Sequence, residues 1–316
     1  MRKISRREFV RLCGMSTAGL GLMSVLGPQI SQTLVEAAES KVPVIWIQAS
    51  SCTGCSVSLL NSVEPGIATV LLDVISMRYH PNVMAASGEL GMETMYKAAD
   101  RYAGEFILVV EGGVPTAEKG RYCIIGDLNH KEITAVEAVK HLGSRAKLVV
   151  AAGQCASFGG IPAAQPNPTG VLGVDQILNP RPYPRKHTVV NISNCPIHPD
   201  HLIGSLVYIL TYNELPELDQ YYRPKLFYGP TIHDTCFRRP AFDEGVFAKQ
   251  IGDYGCLANL GCKGFIARSD CQKRGWNNNV SWCIAAGAPF QACSEPIFPD
   301  GCSPLYGHMP VTGNRK

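Results

Sequence analysis

The chain has 316 residues, enough for one large domain or two smaller ones, and at 46% hydrophobic it can bury a sizeable core. Its 29 lysines and arginines face 26 acids; with the five bases and two acids of residues 1–38 set aside, 24 of each sign remain, which excludes the basic footprint of a nucleic-acid-binding protein. Thirteen cysteines are too sparse for a small disulfide scaffold yet many for an ordinary enzyme, and past the first forty residues no apolar run reaches the roughly 18 residues of a membrane span.

The chain opens with "SRREFVR", in which Arg6 and Arg7 precede the apolar "MSTAGLGLMSVLG" and the small-residue stretch "VEAAES". Paired arginines, an apolar run and a cleavage site near Ala38 predict a twin-arginine export signal over residues 1–38, an address read by a machine that moves folded, often cofactor-loaded proteins. Export ordinarily favours disulfides, but this route equally suits thiols already bound to metal.

"VPVIWIQ" (42–48) reads as a buried strand, and "CTGCSVSLLNSV" starts a helix directly after it. Further apolar runs follow at "ATVLLDVISM", "FILVVEGGVP", "AKLVVAAGQC" and "HTVVNISNCP", separated by helix-like "GMETMYKAADRYAG" and "EITAVEAVKHLG". Alternation of this kind predicts an α/β fold, a flavodoxin-like doubly wound parallel sheet over residues 41–215. From 216 to 316 the texture changes to Gly, Pro, Asn and Cys with little periodicity. A smaller, irregular C-terminal domain is expected there, one that needs metal or a partner to order it.

Three of the apolar runs end in small residues followed by a cysteine. Ligands of open α/β sheets gather at such strand ends, so Cys52, Cys55, Cys155 and Cys195 are expected to meet in space. Four thiolates there suit zinc or a cubane iron–sulfur cluster. One local pair joined to two distant single cysteines, with Gly153, Gly159 and Gly160 leaving room, favours the cluster over zinc, with disulfides third. A second set is "HDTC" with "GCLANLGCKG": His233, Cys236, Cys256 and Cys262, whose one imidazole and three thiolates favour zinc on residue types alone. The third is Cys271, Cys283, Cys293 and Cys302, walled by Trp276 and Trp282. With Cys13 in the signal, these sets use eleven of the twelve remaining cysteines and leave Cys123, expected to pack as a small hydrophobe.

"CTGCSVSLL", "VVEGGVPT", "GQCASFGGIPAAQPNPTG", "NCPIHPDHLIGSL", "HDTC", "LGCKG", "GWNNNVSWC" and "CSEPIFPDG" occur in one order along nearly the whole chain. In that order they resemble the small, electron-transferring subunit of periplasmic nickel–iron hydrogenases, with features of the nickel–iron–selenium subgroup. The resemblance implies that Cys52, Cys55, Cys155 and Cys195 hold a proximal [4Fe–4S] cluster and that His233, Cys236, Cys256 and Cys262 hold a distal [4Fe–4S] cluster, overriding zinc. Gly54 and Gly160 stand where oxygen-tolerant relatives carry extra cysteines, which implies an ordinary proximal cubane.

At the medial site the chain departs from the pattern. Most relatives hold a three-iron [3Fe–4S] cluster there. Phe290 replaces a usual cysteine ligand, while Cys283 stands where most relatives have proline, as in nickel–iron–selenium relatives with a four-iron cluster. With Cys271, Cys283 and Cys293, the reading favours [4Fe–4S] with Cys302 as the fourth ligand.

The resemblance further implies electron transfer rather than bond-breaking on this chain, which supplies no catalytic residue. Hydrogen is split at a nickel–iron site of a large subunit, and electrons pass through three clusters to a periplasmic acceptor such as a multihaem cytochrome c. No transmembrane anchor is expected in the mature chain. Glu64, after the first cysteine pair, is a candidate for proton traffic, weighed against a solvated helix-end carboxylate. The rivals are a quinone-linked dehydrogenase subunit on a similar sheet and a zinc- or disulfide-stabilised exported binding protein.

Overall fold

A computed structural model describes residues 41–307; the export signal expected over residues 1–38 lies outside them. The chain divides into two compact units, one ending at Leu226 and one beginning at Phe227.

The first unit is built on five parallel strands, β1 (Val42–Gln48), β2 (Ile75–Tyr79), β3 (Ile107–Glu111), β4 (Leu148–Ala152) and β5 (Val189–Ile192). They lie in the order β2-β1-β3-β4-β5, the flavodoxin-like order of a doubly wound sheet. Every residue of β3, β4 and β5 is buried, because helices cover both faces and the strands can read as unbroken apolar runs. Alternation along the pleat still sorts the side chains. Ile45, Ile47, Leu108, Val110 and Val149 face one layer with Met92, Met95, Val139 and Leu142. Val44, Trp46, Ile107, Val109 and Val150 face the other with Leu59, Leu202, Ile203 and Leu206.

The covering helices include α1 (Gly54–Leu60), α2 (Gly88–Arg101), α3 (Ala135–Gly143), α4 (Gln154–Phe158) and α5 (Pro199–Tyr212). Chain direction puts α1 and α4 directly after β1 and β4, so their first residues stand at the carboxyl edge of the sheet. The order of strands reverses at β1, with β2 on one side and β3 on the other, and this crevice is where doubly wound sheets receive ligands.

Two segments differ from the sequence reading. "ATVLLDVISM" is only half strand: Ile67–Thr69 is α-helical and Val70–Val74 a π turn, with the chain entering the sheet at Ile75. Val70 and Val74 are buried four positions apart while Leu72 is exposed, a helical spacing that a short apolar run conceals. In "EITAVEAVKHLG" the first residues pair instead as a strand, Lys131–Thr134, antiparallel to Ile124–Leu128. The helix starts only at Ala135, where Thr134 and Glu137 form a reciprocal cap.

The second unit has little regular structure. Its helices are short, Arg239–Asp243 and Cys271–Arg274, and among the described residues its β pairing is confined to isolated bridges. Ile232, Leu257, Ala267, Trp282, Ile284, Phe290 and Ala292 form its core together with Cys271 and Cys302.

Candidate metal centres

At the carboxyl edge of the sheet, β1 ends in "QASSC" and turns into α1 through Thr53, which takes the left-handed conformation at φ 65°. Cys52 Sγ accepts the Gly54 N–H at 3.4 Å, and Cys55 sits in the first turn of α1. Cys155 occupies the same place in α4, after Gly153. Cys195 follows β5. The four thiols act on one another: Cys155 and Cys195 each raise Cys55, Cys52 and Cys195 raise Cys155, and Cys52 raises Cys195. Burial is the larger cause in each case. It holds Cys55 well above the usual thiol range and pushes Cys155 up to about 11.

The backbone around these sulfurs has no room for side chains. A Cβ on Gly153, whose φ is +92°, would lie 2.4 Å from Cys55 Sγ, one on Gly160 3.0 Å from Cys155 Sγ, and one on Gly54 3.1 Å from Cys52 Sγ. Among the described residues no three His, Cys, Asp or Glu side chains converge on a single metal ion. Four thiols gathered at one crevice, with glycines keeping the space beside them clear, suit a body of several irons. No disulfide joins any two of the twelve described cysteines.

Behind this set lies a residue to which the sequence reading gave no role. Glu111, quoted only within "VVEGG", ends β3 opposite Gln48 of β1 and is buried. It accepts hydrogen bonds from the Cys55 N–H, the Ser56 hydroxyl, the Trp46 indole and the Gln48 amide. A carboxylate inside an otherwise apolar run was the available signal. Glu64 is exposed, and Cys123 is half-buried near the Ser50 side chain.

In the second unit a cavity is lined by His233, Cys236, Cys256 and Cys262 together with Ile232, Leu257, Phe265 and Ile284. All four members of the second predicted set are present. His233 is wedged between Phe265, at 4.0 Å between ring centroids, and Phe242, at 4.6 Å. Burial, helped by the charge of Arg239, holds its imidazole below the usual range, so the ring is in the neutral form that ligates metals at neutral pH. Cys256 and Cys262 raise Cys236 after burial, and Cys262 accepts the backbone N–H groups of Gly264 and Phe290. Hydrogen bonds of that kind stabilise thiolates and tune what they bind.

The third set also lies in the second unit. Cys271 is buried beneath Trp276 and Ser269, whose hydroxyl lies 3.1 Å from its sulfur, and burial pushes it up to about 12. It is within electrostatic reach of Cys283. Phe290 fills its position with a buried ring 6.2 Å from that of Trp282. Cys302 is fully buried and pushed up to about 11; its charged neighbours are Lys263 and Glu295. Lys263, also unforeseen, is buried with its ammonium donating to the carbonyls of Pro304 at 2.8 Å and Leu305 at 3.0 Å.

Comparison with known proteins agrees with these two units. Residues 52–209 match the family of the 20 kDa subunit of NADH ubiquinone oxidoreductase, and residues 228–306 match the C-terminal family of NiFe/NiFeSe hydrogenase small subunits. The chain is 45% identical to the periplasmic [NiFeSe] hydrogenase small subunit of Desulfomicrobium baculatum, over 96% of this chain and 98% of that one. It is 36% identical to the periplasmic [NiFe] hydrogenase small subunit 1 of Nitratidesulfovibrio vulgaris, over 96% and 94%. A crystal structure of the reduced, active Ni-Fe-Se hydrogenase of D. baculatum aligns with a TM-score of 0.82 at 44% identity, covering 85% of this chain and all of its counterpart. The sheet is thus shared with the quinone-linked rival, and the second unit separates the two.

Proposed function

The chain belongs to the small-subunit family of NiFe and NiFeSe hydrogenases, and on that premise we propose how its three residue sets divide the work. It is the electron-transfer subunit of an oxidoreductase that acts on hydrogen, and the family carries iron–sulfur clusters. In hydrogenase structures the small subunit pairs with a large subunit. In our reading Cys52, Cys55, Cys155 and Cys195 hold a proximal [4Fe–4S] cluster, and His233, Cys236, Cys256 and Cys262 a distal one. Cys271, Cys283 and Cys293 hold a medial cluster of four irons, with Cys302 as its fourth ligand. Clusters bound at these sets supply one-electron acceptors between the hydrogen-splitting site of the large subunit and an external acceptor such as a multihaem cytochrome c.

The observation that carries this reading is the meeting of four thiols at one crevice, delivered by residues up to 143 positions apart in sequence. The protein's own contribution is to fix those sulfurs, keep side chains away at Gly153 and Gly160, and surround the inner ligands with buried apolar residues. The relatives are periplasmic hydrogenase small subunits; we place this chain in the periplasm too, exported by the twin-arginine route through residues 1–38. Among the described residues no helix is long and apolar enough to cross a membrane.

Cys52 is exposed, and Val57, Leu60, Val63 and Ile161 on the neighbouring segments expose apolar side chains. We assign this face to the large subunit, whose docking covers the proximal site. Leu60→Glu is expected to abolish co-purification of the large subunit; an intact heterodimer would refute the assignment.

Iron and acid-labile sulfide in the anaerobically purified complex, with EPR in both redox states, test the ligand sets. About twelve irons in this chain and no three-iron signal are expected. Zinc without sulfide would overturn the reading. A Cys302→Ala variant with unchanged four-iron signals would remove Cys302 from the set.

A further inference from the structure

We propose that Glu111 is a fixed, buried negative charge set against the proximal site, which lowers the potential at which that site accepts an electron. The proposal rests on the assignment of Cys52, Cys55, Cys155 and Cys195 as proximal ligands and deepens it.

Glu111 is 1% exposed, and its surroundings are arranged for an anion. Oε1 accepts the Cys55 N–H at 3.1 Å. Oε2 accepts the Ser56 hydroxyl at 2.5 Å, the Trp46 indole N–H at 3.1 Å and the Gln48 amide at 3.2 Å. Four donors converge on this one carboxylate, three on Oε2 and one on Oε1, an acceptor-only arrangement that suits the anion. All four are neutral groups, so they stabilise the charge without cancelling it.

The one titratable ring nearby does not cancel it either. His80 lies behind Ser56, with Nε2 at 3.2 Å from the hydroxyl, and its Nδ1 accepts the Asn82 N–H at 3.2 Å. Nε2 therefore carries the proton and donates to Ser56, which in turn donates to Glu111. Burial holds this imidazole below its usual range in spite of the nearby carboxylate, so it is neutral at neutral pH.

The charge reaches the ligands. Oε1 lies 3.1 Å from the backbone nitrogen of Cys55 itself. What resists a negative charge on those sulfurs also resists an added electron on the irons they hold, since the field is the same and the interior screens it poorly. Glu111 itself exchanges neither electron nor proton. One electron at a time passes from the partner's metal site onward, and the carboxylate sets how readily the first acceptor takes it. Through the Cys55 N–H it also holds that ligand's backbone, which makes it a positioning residue as well as a charge.

Glu111→Gln and Glu111→Asp in the purified large–small complex separate the two roles. In EPR-monitored redox titrations, with iron counted on each sample, Glu111→Gln is expected to keep its iron. Its proximal midpoint should rise by enough to favour the reduced form about tenfold at a fixed potential, about 59 mV for one electron. Glu111→Asp should stay near the wild-type midpoint. A fully loaded Glu111→Gln complex with an unmoved or lowered midpoint overturns the proposal. Should Glu111→Gln lose iron, Trp46→Phe decides: it removes one donor and keeps the charge, so the midpoint should fall, and a raised or unmoved value overturns the proposal. A wild-type complex with no proximal signal would instead refute the ligand assignment itself.

Discussion

The two units solve one problem by opposite means. In the first, a sheet with both faces covered delivers cysteines to one edge, and each candidate ligand stands within three residues of a strand end or a helix start. In the second, the ligands sit in turns, short helices and loops whose core includes two of the candidate ligands, Cys271 and Cys302. The apolar layers of the first unit take in one candidate ligand, Cys55, among side chains of the sheet and its helices; the much smaller core of the second is built partly from candidate ligands. The proposed ligand sets therefore predict a scaffold that folds before it is loaded in one case and folding coupled to loading in the other.

Removing the iron should split the units most widely. Hydrogen exchange on chelated protein is expected to show β1, β3 and β4 still protected and the amides of residues 227–307 exchanging at nearly unfolded rates; equal retention in both would erase the contrast. Reloading should be disfavoured by acid. Thiols pushed up to about 11 at Cys155 and about 12 at Cys271 are protonated in the apo protein at neutral pH, and each must release its proton to bind iron.

The same contrast decided what could be read from sequence. The sheet was legible because strands buried on both faces leave unbroken runs such as "FILVV" and "KLVV", and their ends marked the first thiol set. Ile67–Val74 was not, since Val70 and Val74 reveal a helix only by which of them is buried. His233, Cys236, Cys256 and Cys262 were found by spacing and resemblance, and the structure lines one cavity with them. The third set was assembled by counting, and counting cannot show that the charged neighbours of Cys302 are Lys263 and Glu295. Glu111 and Lys263 were missed because a single charge in a sequence does not announce whether it is buried.

Those two residues sharpen the comparison, for each lies beside a ligand and they are opposite in sign. Lys263 follows Cys262, and its charge acts on both Cys262 and Cys302. Replacing it with methionine removes a donor from the Pro304 and Leu305 carbonyls, which should cost about 1–3 kcal/mol of stability. Redox titration should also show the distal midpoint falling, the opposite direction from Glu111→Gln. A distal midpoint that does not fall would show that the cation is only a brace for residues 304–307.

The smallest effect belongs to the scaffold of the first unit. Thr134 Oγ1 accepts the Glu137 N–H at 3.3 Å, while Glu137 accepts the Thr134 N–H at 3.1 Å and its hydroxyl at 3.0 Å. These bonds, the backbone one foremost, hold the Glu137 carboxyl below its usual range. A depressed carboxyl stabilises the fold above its unfolded pKa, and that stabilisation is lost as pH falls through the lower folded value. Thr134→Ala keeps the backbone N–H and loses the hydroxyl. Denaturant unfolding should therefore show a loss of about 1 kcal/mol at neutral pH, shrinking in acid as Glu137 protonates. Because the bonds of this cap involve none of the candidate ligands, the iron content and EPR signals of all three sets should not change. Loss of iron on changing a helix cap in which no candidate ligand takes part would mean that the first unit, like the second, folds and loads as one.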